Sequence, residues 1–258
     1  MKESNNESDI SGFRREIDKA VNRSNDDFFT WFDKALNVET AFIRGNWDFG
    51  IHVLLPLAPY LKIPETKTVL DIGYGGGRMI AAASRFFKDA IGIDVHDQSE
   101  IVMAELRGRG MNNIQLFSTD GKTIPLPNAS VDVVYSFIVF QHLGKISLLE
   151  GYVREIHRIL KPKGLAVLYF GRKVFYSKNN KNLLLFWIDC AMEQLRLPRG
   201  YLEFQAEINH TNLLITRGFF KKLVNSLGFS LLKFVVSHKD VPDNYGSYGG
   251  QHGIVIQK

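Results

Sequence analysis

The chain has 258 residues, 45% hydrophobic and 23% charged, the proportions of a globular protein large enough for one α/β domain with an insertion. Its formal net charge is +5, but the basic residues are scattered, and Lys161 to Lys163 and Lys178 to Lys181 are local clusters, which disfavours nucleic acid as a partner. Cys190 is the single cysteine, so an intrachain disulfide and a multi-cysteine zinc site are excluded, and a reducing cytoplasmic setting is expected.

Residues 1–9 are polar and read as a frayed start with no apolar signal core. Ile10, Phe13, Ile17, Ala20 and Val21 recur at helical spacing, and a second helix is predicted from Asp26, which can cap it. A third apolar segment, 51–61, is broken by Pro56 and Pro59, so residues 1–65 read as a helical leader. From Thr66 strands alternate with helices. Strands are predicted at 68–72, 90–95, 113–118, 131–137 and 165–170, and helices at 78–87, 99–109 and 147–160. That alternation argues a doubly wound parallel sheet with helices on both faces.

Residues 172–216 interrupt the alternation and read as an insertion on the substrate side of a domain spanning 66–258. It holds a polar loop, an apolar helix at about 183–197, Pro198 and a second helix or loop. The apolar run 183–188 stops at Asp189, far short of the ~20 residues of a membrane span, although this helix suits weak membrane-surface contact. A helix at 218–227 stops at Gly228, and strands at 230–237 and 253–257 close the chain around a glycine- and tyrosine-rich loop, 244–250.

The most informative stretch is Val69-Leu70-Asp71-Ile72-Gly73-Tyr74-Gly75-Gly76-Gly77-Arg78, a strand running through glycines into a helix. Glycines 73, 75 and 77 allow a sharp turn and close approach of a ligand to backbone, and the next helix start offers free N–H groups. A dinucleotide fingerprint places a third glycine where Arg78 stands. Asp71, two residues before the first glycine, favours a cationic ligand group or a structural anchor over a diphosphate. Asp94 ends the next strand, where a carboxylate can accept ribose hydroxyls, or can cap a helix. Asp120, in Asp120-Gly121 after the third strand, is placed to accept from an exocyclic amine, or makes an ordinary turn.

These residues resemble the motifs of class I S-adenosylmethionine-dependent methyltransferases of the small-molecule type. Residues 69–78 resemble the first motif, Asp94 the acid of the second, and Asp120-Gly121 the third. Residues 130–143 are similar to the fourth strand and its continuation, and 154–165 to the helix–turn–strand that follows. Tyr74 stands where a small residue is common, and Lys163 replaces a turn glycine. The resemblance implies a Rossmann-like, doubly wound, seven-stranded and mostly parallel sheet with an antiparallel last strand and S-adenosyl-L-methionine across its carboxyl ends. It further implies that Asp71, Gly73, Tyr74, Gly75, Gly77 and Arg78 hold the methionine part and Asp94 the ribose. Val95 would pack on adenine, Asp120 and Gly121 would meet its amine, and Ser136 and Phe137 would line the methyl end.

Methyl transfer from a sulfonium requires mainly in-line positioning, with a base where the acceptor is a hydroxyl. His142, after strand four, is the candidate base, against a structural role at a helix start. The seven histidines lack zinc-motif spacing, so no catalytic metal is expected. Strand four ends Ser136-Phe137-Ile138-Val139, without the N-P-P-Y of planar-amine enzymes. The acceptor, expected to be a small molecule, should meet aromatics among Trp31, Trp47, Phe49, Trp187, Tyr201, Phe204, Tyr245 and Tyr248, each of which also suits plain packing. Two other readings stay open: a non-catalytic S-adenosylmethionine-binding protein, and an NAD(P)-dependent oxidoreductase.

Overall fold

Five short apolar runs, each ending near a turn residue, build the centre of the molecule: β1 (Thr68–Ile72), β2 (Asp89–Asp94), β3 (Ile114–Ser118), β4 (Val131–Ser136) and β5 (Leu160–Arg172). They pair in parallel in the order β3-β2-β1-β4-β5. The structure is a computed structural model that describes residues 11–172, 200–204, 211–237 and 251–258, with Leu184, Trp187, Ile188 and Ala191. β9 (Gln251–Gln257) returns antiparallel beside β5, and β8 (Ser230–Val236) pairs antiparallel with β9. The mixed α/β architecture and antiparallel last strand follow the expectation from the sequence.

Among the described residues the sheet has nine strands rather than seven. The surplus pair, β6 (Tyr201–Glu203) and β7 (Leu213–Ile215), comes from the stretch expected as a helix or loop, and β7 extends the end of β5 in parallel at Gly171 and Arg172. Strands of three residues are too short to show a period, so pairing rather than sequence pattern sets them. The expected helix at 183–197 falls largely outside the described residues, as does the loop 244–250; Leu184, Trp187, Ile188 and Ala191 are helical. Among the described residues no helix is long and apolar enough to cross a membrane.

Alternate residues of the central strands serve two apolar layers. Val69, Val133 and Tyr135 face one side, with α5 (Arg78–Ala83), α6 (Ser99–Gly108) and the leader. Leu70, Ile72 and Val134 face the other, against α7 (Ile146–Ile159) and α8 (Arg217–Ser226). Burial of each such side chain contributes about 1.5–3 kcal/mol. The turn between α7 and the body of β5 places Lys163 at φ 64, a left-handed conformation easier for the glycine it replaces.

The leader contains α1 (Ser11–Arg23), α2 (Asn25–Trp31), α3 (Val38–Phe49), a π-helical turn at Gly50–Leu54 and a short α4 (Leu55–Leu57). The cap of α2 is Ser24, not Asp26: Ser24 Oγ accepts the Asp27 N–H at 3.0 Å, while Asp26 and Asp27 sit in the first turn, favourably for the helix dipole. α3 was not visible as a periodic helix because its buried face includes Arg44, Gly45 and Asp48. Gly45 lies so close to α5 that a Cβ there would overlap the Arg78 carbonyl oxygen.

Candidate functional site

The chain leaves β1 through three glycines with left-handed φ: Gly73 (+83°), Gly75 (+53°) and Gly77 (+83°). A side chain at Gly73 would collide with Val139, and one at Gly77 would approach Val102 to 2.8 Å, so both conformation and space require glycine. Gly73 N–H donates to the Ile93 carbonyl at 2.8 Å, which ties the turn to β2. Gly75 N–H donates to Asp94 Oδ2 at 2.8 Å, and Val95 N–H donates to Asp94 Oδ1 at 2.7 Å. Asp94 thus braces the glycine turn and still opens on the cleft above it.

That cleft lies over the carboxyl ends of β1, β2 and β4. Its floor includes Asp71, Gly73, Tyr74, Gly75, Arg78, Asp94 and Val95. Asp71 is 3% exposed, and burial raises its carboxyl to about 7, opposed by smaller effects from the Tyr135 hydroxyl and Arg78. Burial and Asp94 keep the Tyr74 phenol neutral, and its hydroxyl has no hydrogen-bond partner among the described residues. Thr119 lines the adjacent wall. Asp120 does not line the cleft: its Oδ1 accepts from Lys122 N–H, Thr123 N–H (both 2.8 Å) and Thr123 Oγ at 3.0 Å, a turn closed on itself.

The far end of the cleft is walled by Phe13, Trp31, Phe137, Ile138 and His142. Ile138 has φ 65, an unusual and strained state for a β-branched residue, and its N–H donates to the buried Gln251 Oε1 at 3.3 Å. The His142 ring stands 5.2 Å from the Phe13 ring, and its Nε2 is 3.2 Å from Gln141 Nε2. Asn212, from the insertion, secures the backbone beneath. Its N–H donates to the Gln141 carbonyl at 2.7 Å and its Nδ2 to the His142 carbonyl at 3.0 Å.

The leader is fastened to this floor by buried charge. Arg78 Nη1 donates to Asp48 Oδ2 at 2.5 Å, with Asp33 Oδ2 3.8 Å from Arg78 Nε and Arg44 Nε 3.8 Å from Asp48. His52 Nδ1 donates to the Asp48 carbonyl at 3.0 Å, and its ring stacks on Phe137 at 4.2 Å. Burial raises the Asp33 carboxyl above the usual range, against the lowering pull of Arg78 and Arg44. Farther along, Arg14 of α1 donates to the Val95 carbonyl at 2.9 Å and to Asp97 at 3.0 Å.

Nine of the residues assigned in the sequence to the cofactor or to the base meet in this cleft: Asp71, Gly73, Tyr74, Gly75, Arg78, Asp94, Val95, Phe137 and His142. Gly77 shapes the turn from behind, Ser136 is buried with its Oγ 3.4 Å from the Ile72 carbonyl, and Asp120 and Gly121 stand outside the lining. Of the aromatics expected around the acceptor, Trp31 lines the cleft, Phe49 is core against Tyr135, and Trp47 is half exposed at the surface. Tyr245 and Tyr248 lie outside the described residues. The sequence missed Phe13, Phe29 and Phe32, which enter only because the leader folds back, and their helical spacing alone reads as core.

Residues 70–168 match the family described as Methyltransferase domain. An uncharacterized methyltransferase of Bacillus subtilis is 28% identical over 101 residues, 39% of each chain. A ubiquinone biosynthesis O-methyltransferase of Idiomarina loihiensis is 28% identical over 188 residues, 69% of this chain and 72% of that one. The chain spans well under two thirds of several other relatives, such as 44% of a malonyl-[acyl-carrier protein] O-methyltransferase of a Marinomonas species. Among solved structures, a SAM-dependent methyltransferase of Aquifex aeolicus superposes with TM-score 0.53 at 15% identity, over 81% of this chain and 92% of that one. At that identity the likeness speaks to the fold.

Proposed function

We propose that this chain, whose residues 70–168 form a methyltransferase domain of the class I S-adenosylmethionine-dependent family, transfers a methyl group to a small-molecule acceptor. The observation that carries this reading is the pairing of a buried carboxyl, Asp71, with a second carboxylate, Asp94, on one cleft beside the glycine turn. Asp71 suits an ammonium, because a cation there offsets its desolvation, and Asp94 suits a pair of hydroxyls. S-adenosylmethionine carries both groups and, when bound, supplies an electrophilic methyl on a sulfonium.

In this reading Asp71 and the turn orient the amino-acid end, Asp94 fixes the ribose, and Val95 covers one face of the base. Phe137 and Ile138 exclude water at the methyl end, and Phe13 and Trp31 press an apolar acceptor into line. His142 takes the proton of a hydroxyl acceptor. Calorimetric titration with S-adenosylmethionine, S-adenosylhomocysteine and NADH tests the reading. Micromolar binding of the two sulfur nucleotides is expected, whereas binding of NADH alone would overturn it.

The same titration carries a sharper prediction. Below about pH 7 the free protein holds Asp71 protonated. A bound ammonium favours the carboxylate, so at pH 6 binding should release up to about one proton, and affinity should rise with pH through the 5–7 window. Heats measured in two buffers of different ionisation enthalpy report that proton. Asp71→Asn should abolish the release, and an unchanged release in this variant would remove Asp71 from the ammonium site. For His142→Ala, turnover of a hydroxyl acceptor should fall by about 10²-fold or more with cofactor affinity preserved. An undiminished rate would remove it as the base.

A further inference from the structure

We infer that His96 is a positioning residue that, as a neutral imidazole protonated on Nε2, clamps the Gly75 carbonyl and holds the glycine turn in its working shape. The clamping role rests on the reading of that turn as the cofactor site.

The tautomer follows from the partners. Gln98 N–H can only donate, and it points at His96 Nδ1 from 3.1 Å, so Nδ1 is the bare acceptor. Gly75 O can only accept, and it lies 3.1 Å from Nε2, so Nε2 carries the proton. The opposite tautomer would set a donor against a donor on one side and an acceptor against an acceptor on the other. The ring is wholly buried, edge-on to Tyr74 at 4.9 Å and near Phe28 and Phe32 of the leader at 5.8 and 5.9 Å.

Both sides of Gly75 are therefore held from one short segment. Its N–H is taken by Asp94 and its carbonyl by His96, two residues later. Gly75 sits at φ +53°, where the freedom of glycine would let the peptides on either side rotate, and the two bonds restrain both. Loss of the His96 donor would leave a buried carbonyl unsatisfied and release Asp94 Oδ2 from its orientation. The leader rings that enclose His96 also bring α2 onto the turn.

Two measurements test this. In ¹⁵N-labelled protein, two-bond proton–nitrogen correlations of His96 should show Nε2 protonated and Nδ1 bare at neutral pH. The reverse tautomer, or an imidazolium, would overturn the assignment. His96→Phe keeps the bulk but removes the donor, and His96→Gln keeps an N–H near the Nε2 position. His96→Phe should weaken S-adenosylhomocysteine binding about tenfold or more, with the KM of the acceptor little changed, and His96→Gln should recover most of the loss. Equal weakening in both variants, or none in His96→Phe, would sink the positioning role. Failure of the unmodified protein to bind S-adenosylhomocysteine would overturn the proposed function and the clamping role with it, leaving the tautomer decided by the spectrum.

Discussion

Replacing Asp94 by alanine is expected to weaken S-adenosylhomocysteine binding by about 10²–10³-fold. Its carboxylate receives Gly75 N–H at 2.8 Å and Val95 N–H at 2.7 Å, and its remaining lone pairs open on the cleft. Hydrogen bonds to a charged group contribute about 1.5–3 kcal/mol each, so loss of two ribose contacts, taken near the low end because both face solvent in the open cleft, costs roughly 3–4 kcal/mol of affinity. Asp120→Ala is the informative control. That carboxylate already serves three donors in its own turn, so its loss should change affinity less than about tenfold while loosening the 119–123 segment. Calorimetry on both variants decides the assignment. Unchanged binding in Asp94→Ala would refute the ribose role, and a larger loss in Asp120→Ala would return the adenine side to that residue.

Asp48→Leu is expected to destabilise the fold by about 3–5 kcal/mol, because it removes one carboxylate from a buried cluster holding two guanidiniums. Asp48 has a side chain 2% exposed, and it meets Arg78 at 2.5 Å and Arg44 at 3.8 Å. Among the described residues, Asp33 would then be the carboxylate facing both cations. A change of this size should lower Tm by roughly 10 °C in a protein of this length and shift the urea midpoint without a salt dependence, since the pair is shielded from solvent. A loss under about 1 kcal/mol would mean that apolar contacts, and not this ion pair, fasten the leader. Cofactor affinity should fall as well, since Arg78 borders the cleft.

The parts of the site that were legible in sequence are those whose backbone demands a residue type. The turn needs glycine at 73 and 77 for φ and space, and Asp94 must end its strand to reach Gly75. Strand and helix order followed from period. The leader was legible as helical but not as a wall. Phe13, Phe29 and Phe32 look like any amphipathic face until the chain folds back. α3 hid because its buried face carries Arg44 and Asp48, and Arg78, the second cation that meets Asp48, sits in a different helix. His96 was passed over as one histidine of seven, although its place two residues after Asp94 was a usable signal. Asp120 shows the converse: an acid in the expected place whose nearest donors are its own neighbours.

Asn212 gives the insertion a reach that its position at the rim would not suggest. Through two carbonyls it is welded to the segment that carries His142, while Glu203 accepts the Ile146 N–H at the start of α7 at 2.7 Å. Under the proposed chemistry, the insertion is tied through these bonds to the group that deprotonates the acceptor. Lengthening or recombining the insertion would then shift the base with it, so turnover should fall even where the cofactor cleft is untouched. Variants that hold Glu203 and Asn212 constant should keep turnover where variants that replace them lose it.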